Sequence, residues 1–122
     1  MALSKSRTSL YNGTTMTAAA GDVTSSAQDL TGSYSTVLDI KLTNGATGPT
    51  VPGQVQIQIG ADATGTLMTN YGAPLVGSNA NNGVISWSIV LPEAAGCFKL
   101  VSGSNTGQNV TLDADYSRIT GI

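Results

Sequence analysis

Four stretches of the chain alternate apolar and polar residues with a period of two, and that pattern restricts the fold more tightly than any other feature. Leu38-Asp39-Ile40-Lys41-Leu42 sets three aliphatic side chains on one face and both charges on the other. Gln54-Val55-Gln56-Ile57-Gln58-Ile59 repeats the arrangement with its glutamines outward. Ile85-Ser86-Trp87-Ser88-Ile89-Val90-Leu91 puts Ile85, Trp87, Ile89 and Leu91 inward, which makes Trp87 a core residue rather than a sugar-stacking platform. Val110-Thr111-Leu112-Asp113-Ala114-Asp115-Tyr116 is the fourth, with both aspartates on the outer face. Successive side chains of a strand point to opposite faces, so each stretch reads as a strand with one buried face. Helix has little support. Glu occurs once, at Glu93, whereas the β-branched residues that suit a pleated surface are abundant.

Shorter segments fill the gaps. Phe98-Lys99-Leu100-Val101 alternates briefly, Arg118-Ile119-Thr120 extends the last strand beyond a bulge, and Leu67–Tyr71 pairs with the glutamine-bearing strand. Thr15–Ala20 and Val23–Leu30 are compatible with edge strands. Asn44-Gly45, Asn82-Gly83 and Gly103-Ser104-Asn105-Thr106-Gly107 supply residues that tolerate positive φ at tight reversals. Pro49 and Pro52 mark an irregular connection over residues 45–53, because neither donates a ladder hydrogen bond. The expected fold is all-β: an antiparallel β-sandwich of seven or eight short strands, with residues 1–14 as an extended N-terminal arm and 15–122 as the sandwich domain. A chain of 122 residues has room for one such domain.

Composition then removes common functions. Charged residues are 10% of the chain, against roughly 25% in a typical soluble protein. With Lys+Arg at 5 and Asp+Glu at 7, no basic surface exists to neutralise a run of phosphates, so no nucleic-acid partner is expected. There is no histidine to serve as a base or metal ligand, and a single cysteine, Cys97, forms neither an internal disulfide nor a thiolate cluster. The thiol reads as a small buried group. Asp113 and Asp115 share a strand face and read as a solvated pair opposite a lysine or arginine; Asp62 reads as an Asx turn rather than a calcium ligand. A Ser–Lys dyad has only Lys5, Lys41 and Lys99 to draw on. No catalytic residue, cofactor or metal is expected, and the chain is read as a non-enzyme. No apolar stretch follows the first residues and none approaches membrane length, so neither export nor a membrane partner is expected.

What composition leaves is surface. Val90 and Val101 lie on outward strand faces, and Val51, Leu75 and Val76 lie in connections. One core cannot cover all of these, and charge is depleted where protein surfaces become buried in assemblies. Much of the surface is therefore expected to be covered by partners. The candidate contacts are Lys5 and Arg7 in the arm, Pro49, Val51 and Pro52 in the irregular connection, and Tyr71 in a loop.

The turn phrasing of the chain has a counterpart among known families. Leu42-Thr43-Asn44-Gly45-Ala46-Thr47-Gly48-Pro49-Thr50 followed by Val55–Ile59, then Gly72-Ala73-Pro74-Leu75-Val76-Gly77 and Leu100–Asp115, resembles small virion proteins of tailed bacteriophages and prophages over roughly residues 30–120. The resemblance implies a jelly-roll or related sandwich acting as a capsid cement (decoration) protein, one that stabilises the expanded head by bridging major capsid subunits. It implies the major capsid protein and further copies of the chain as partners, in a homodimer or homotrimer. It implies a place on the virion exterior after assembly in the bacterial host cytoplasm, and it carries no active-site residues. The alternative is a tail- or fibre-associated module that recognises a host-surface glycan through the loops bearing Tyr71, Asn79, Asn81 and Asn82.

Overall fold

Each of the four alternating stretches is a strand in the computed structural model, which describes residues 3–17 and 19–121. The described residues form ten strands and no helix: β1 (Leu3–Met16), β2 (Val23–Thr24), β3 (Gln28–Asp29), β4 (Ser33–Asn44), β5 (Gln54–Gly60), β6 (Met68–Asn70), β7 (Leu75–Val76), β8 (Val84–Leu91), β9 (Cys97–Gly103) and β10 (Val110–Gly121). One sheet has the order β1-β10-β4-β8. The other has the order β2-β9-β5-β6, with β3 on β9 and β7 on β5. All pairings are antiparallel. Counting β2 with β3 and β6 with β7 as single broken strands leaves eight, which cross between the sheets at every connection except the one from β5 to β6, the strand order of a jelly roll.

The period of two dictates the layering. Residues directly opposite on antiparallel strands share a face. The register therefore sets Leu38, Ile40 and Leu42 of β4 beside Tyr116, Ala114 and Leu112 of β10, and beside Ile89, Trp87 and Ile85 of β8. That face packs on Val55, Ile57, Phe98 and Leu100 of the second sheet, all buried. Phe98 meets Tyr116 edge to face, with ring centroids 5.0 Å apart and planes at 87°. Trp87 faces inward as expected but is only half-buried, because β8 is the last strand of its sheet.

The N-terminal segment differs from a free arm. It is extended, and from Leu3 onward it is hydrogen-bonded to β10 along its length. Its sequence lacks apolar alternation because both faces stay largely exposed until Met16. Two register shifts, between Ser9 and Tyr11 and between Tyr11 and Thr14, absorb extra residues, and Gly13 at φ +66° supplies the left-handed backbone there.

Asn44 and Asn105 also differ from plain turn formers. Asn44 ends β4 with its side chain buried, where Nδ2 donates to the carbonyls of Ser78 (2.7 Å) and Ala80 (2.9 Å). Asn105, fully buried, donates to the carbonyls of Met16 (3.2 Å) and Gln108 (2.8 Å). Carbonyls turned inward by irregular connections need donors, and these two amides supply them. Of the three segments expected to supply positive φ, Asn44-Gly45 does not, whereas Asn82 (φ 55°) does in the second and Gly103, Ser104 (φ 65°) and Gly107 do in the third.

Phe98→Ala removes the ring from the centre of the seam between the sheets. It is expected to lower the unfolding free energy by about 3–5 kcal/mol, read as a shift of the urea midpoint.

Candidate interaction surface

The outer face of the β1-β10-β4-β8 sheet carries Lys5, Arg7, Asp39, Lys41, Asp113 and Asp115, half of the charged residues in the chain. Its residues fall into rows set by the register. One row runs Ser9, Asp115, Asp39, Ser88, and the next holds Asp113, Lys41 and Ser86. Asp39 and Asp115 are thus directly opposite, an arrangement that repels unless donors intervene. Donors sit on both flanks. Ser88 Oγ donates to Asp39 Oδ1, and the Arg7 guanidinium donates to Asp115 Oδ2 in an ion pair. Asp113 is opposite Lys41, and its Oδ1 accepts from the Gly13 amide at 2.7 Å, inside the irregular stretch of β1. The Asp115 hydrogen bond, with its charge, holds the Arg7 guanidinium above its ordinary value.

A depression of about 770 Å³ lies over these rows, walled in part by Arg7, Asp39, Lys41, Asp113 and Asp115. Arg7 is paired with Asp115, and Lys41 lies opposite Asp113. No group of three or more His, Cys, Asp or Glu residues suited to a metal occurs among the described residues. Cys97 is buried, with Sγ 3.6 Å from Met68 Sδ; burial first, then the Asp62 charge, pushes its thiol up and away from the reactive thiolate. Asp62 does cap a turn: its Oδ1 accepts from the amides of Gly65 (2.8 Å) and Thr66 (3.2 Å). The Thr66 hydroxyl and these amides hold its carboxyl below the usual range. Asp29 is lowered likewise by the Thr31 hydroxyl and amide.

The residues expected to make partner contacts fall in three places. Lys5 and Arg7 are exposed on the outer face of β1. Val51 is exposed, Pro52 half-buried and Pro49 buried, in the connection at the other end of that strand, about 30 Å away at ~3.3 Å per residue. There the connection is tied down: the Thr50 amide donates to the Thr106 carbonyl (2.8 Å), and the Gly48 amide donates to Asn81 Oδ1 (2.9 Å). Tyr71 is half-buried and packs against the core, with its hydroxyl 3.5 Å from the Val90 carbonyl. Asn81 and Asn82 are engaged in loop geometry, and Asn79 is exposed. The structure therefore separates the arm contacts from the loop contacts. Large apolar side chains left open include Leu67 (81% exposed), Leu3 (64%) and Tyr34 (56%), which no pattern in the sequence singled out. No helix among the described residues is long and apolar enough to cross a membrane.

Similarity to known proteins lies in the fold and not in the sequence. No protein-family model and no curated protein sequence matches the chain. In the T13 particle of infectious bursal disease virus, a protein chain is similar over 97% of this one at 8% identity, with a TM-score of 0.56. The VP2 subviral particle of the same virus gives a TM-score of 0.54 at 10% identity, again over 97% of this chain. The chain spans about a third of those two proteins, 31% and 33% of their lengths. The SPBc2 prophage-derived protein YomS is similar over 98% of this chain and 96% of its own, at 8% identity and a TM-score of 0.51. The all-β fold is thus one found in virus-particle proteins and in a prophage-derived protein of nearly the same span.

Two outcomes follow from the outer-face electrostatics and the capped turns. Arg7→Ala leaves Asp39 and Asp115 opposed without their cation, so the urea midpoint should fall, more at low salt than at high, and Asp39→Asn in the same chain should recover most of the loss. Asp29 and Asp62 have folded values below their unfolded ones. Their contribution is present above the unfolded value, near 3.9, and disappears as pH falls through the lower folded values. The Asp29→Asn/Asp62→Asn double variant should therefore show a flatter decline of stability from about pH 5 to about pH 2 than the parent.

Proposed function

We propose that the chain is a structural virion protein of a tailed bacteriophage, a cement or decoration protein that stabilises the expanded head by bridging major capsid subunits. One observation carries the reading. A sandwich with 10% charged residues leaves large apolar side chains open around it, Leu67, Leu3 and Val51 among them, and uses much of its charge internally on one sheet face. Such a surface is poorly suited to a freely diffusing monomer and well suited to burial against neighbours. The fold shared with virus-particle proteins supports the reading at the level of architecture.

The mechanism is area and register. A rigid block docked across the joint between two shell subunits adds contacts that must break together before the joint opens, and repetition over the shell multiplies the effect. Binding requires no reaction, cofactor or nucleic acid. Assembly takes place in the bacterial host cytoplasm, and the protein resides on the capsid exterior.

The test uses expanded heads purified without the protein. Added chain should bind them saturably, in hundreds of copies per particle, and raise the temperature at which the heads release DNA. A copy number near a dozen, or binding confined to tails, overturns the reading. Should the tail location be accompanied by host-cell or glycan binding that Tyr71→Ala abolishes, the receptor module takes its place. Lys5→Glu/Arg7→Glu and Val51→Asp, compared side by side, identify the docking end: only the variant on the buried end should weaken head binding.

A further inference from the structure

A sheet edge presents unpaired amides and carbonyls, and a long flat edge is a template for pairing with another chain. Three of the edges among the described residues are guarded. β1 carries Lys5 and Arg7 and two register shifts. β2 and β3 are two residues each, β6 is three and β7 is two. The remaining edge, β8, has no such protection. It runs eight residues without a charge or a proline, in unbroken register from Thr43↔Val84 to Thr36↔Leu91. Val84 and Val90 on its outer face are 55% and 64% exposed, and Ile85, Trp87 and Ile89 on its inner face are half-buried. The Tyr71 hydroxyl, 3.5 Å from the Val90 carbonyl, is the one side chain that hydrogen-bonds its backbone among the described residues.

The sequence of this edge is a palindrome. Val84-Ile85-Ser86-Trp87-Ser88-Ile89-Val90 reads the same in both directions about Trp87. We infer that β8 pairs antiparallel with β8 of a second copy about a two-fold axis at Trp87, joining two four-stranded sheets into one of eight. Opposed residues of antiparallel strands share a face, and a two-fold interface is self-complementary. The register centred on Trp87 sets Val84 against Val90, Ile85 against Ile89 and Ser86 against Ser88, each twice, with Trp87 against its own copy. Every contact is like on like, valine on valine, isoleucine on isoleucine, serine on serine and tryptophan on tryptophan, and no charge is buried. A second copy is the occupant because only a strand carrying this sequence completes the match. Stable interfaces begin at about 1,200 Å² of buried surface. A lone eight-residue strand pair falls near that lower limit, so the dimer is concentration-dependent. The inference does not rest on the capsid reading, since a tail-located module would use the same edge.

Sedimentation equilibrium of the full chain over a dilution series tests it, read together with the emission of its single tryptophan. Expected are a monomer–dimer equilibrium and a blue shift of Trp87 emission on association. V84K/V90K opposes like charges at both ends of the strand pair and should weaken the dimer by about tenfold or more. V84K/V90E opposes unlike charges at the same four positions and should restore it to near the parent affinity. Both sites are exposed in the monomer, and far-UV circular dichroism checks that the sandwich persists. A parent chain that stays monomeric at about 1 mM, where the weakest specific pairing becomes visible, overturns the inference whatever the variants do. So does a dimer that V84K/V90K leaves unchanged, or one that V84K/V90E fails to restore. Loss of head binding with an intact dimer would count against the cement reading alone.

Discussion

The contact of Phe98 with Tyr116, edge to face across the gap between the sheets, marks the seam on which the rest of the structure depends. Phe98 is on β9 and Tyr116 on β10, so the link joins strands adjacent in sequence but in different sheets. A strand that slipped by one residue would turn its whole apolar set outward, and the seam would be lost. Burial of this seam thus selects the register, and the register selects everything on the outer face. The opposition of Asp39 to Asp115 is a consequence of that choice. Arg7 and Ser88 offset its cost from the flanks.

The scarcity of charge has a second consequence, at the edges. Proteins commonly keep an edge strand monomeric with an inward lysine, a proline or a bulge. Here two of the five basic residues, Lys5 and Arg7, are on β1, a third, Lys41, is opposite Asp113 in the sheet interior, and none is on β8. The chain protects one long edge and leaves the other bare. That distribution is what a folding unit intended for solitary life would avoid, and it connects the low charge seen in composition to one particular strand.

Legibility in the sequence followed burial. Where one face is dry, as in β4, β5 and β10, both the strand and its inward residues can be read directly from the alternation, and β8 alternates likewise with its inner face half-buried; Leu38, Ile40 and Leu42 are buried as their spacing requires. β1 could not be read that way, because a strand wet on both faces has no reason to alternate. Its only signals are Ser and Thr content and the spacing of Lys5 and Arg7, which places both on one face. Asn44 and Asn105 were legible as irregular backbone but not as buried staples, since the carbonyls they satisfy come from Ser78, Ala80, Met16 and Gln108, most of them far along the chain. Asp62 was legible because its partners are local. The same distinction explains Pro49: a proline in a connection reads as surface, yet this connection folds onto two others and buries it.

Those staples bear on how the two ends of the sandwich differ. At the end where β4 stops and β10 starts, the connections at residues 45–53, 77–83 and 104–109 are hydrogen-bonded to one another, through Gly77 to Gly53, Asn82 to Gly45 and Thr50 to Thr106, while Asn44 ties the end of β4 to 77–83 and Asn105 ties 104–109 to Met16. At the other end, Leu3 and Tyr34 stand exposed on strands that run past the cover of the second sheet. A surface already held in one conformation loses little freedom on docking, so more of its contact energy appears as affinity. On the proposed docking to a shell, the stapled end would by that argument be the better pre-organised face, with Val51 its exposed apolar side chain, while the long strand ends would supply reach. A β8-paired dimer related by a two-fold axis perpendicular to the sheet would point its two stapled ends in opposite directions, so one dimer would present a rigid face at each end of a single continuous sheet. Bridging then follows from symmetry, because a body with two identical docking faces joins whatever each face binds.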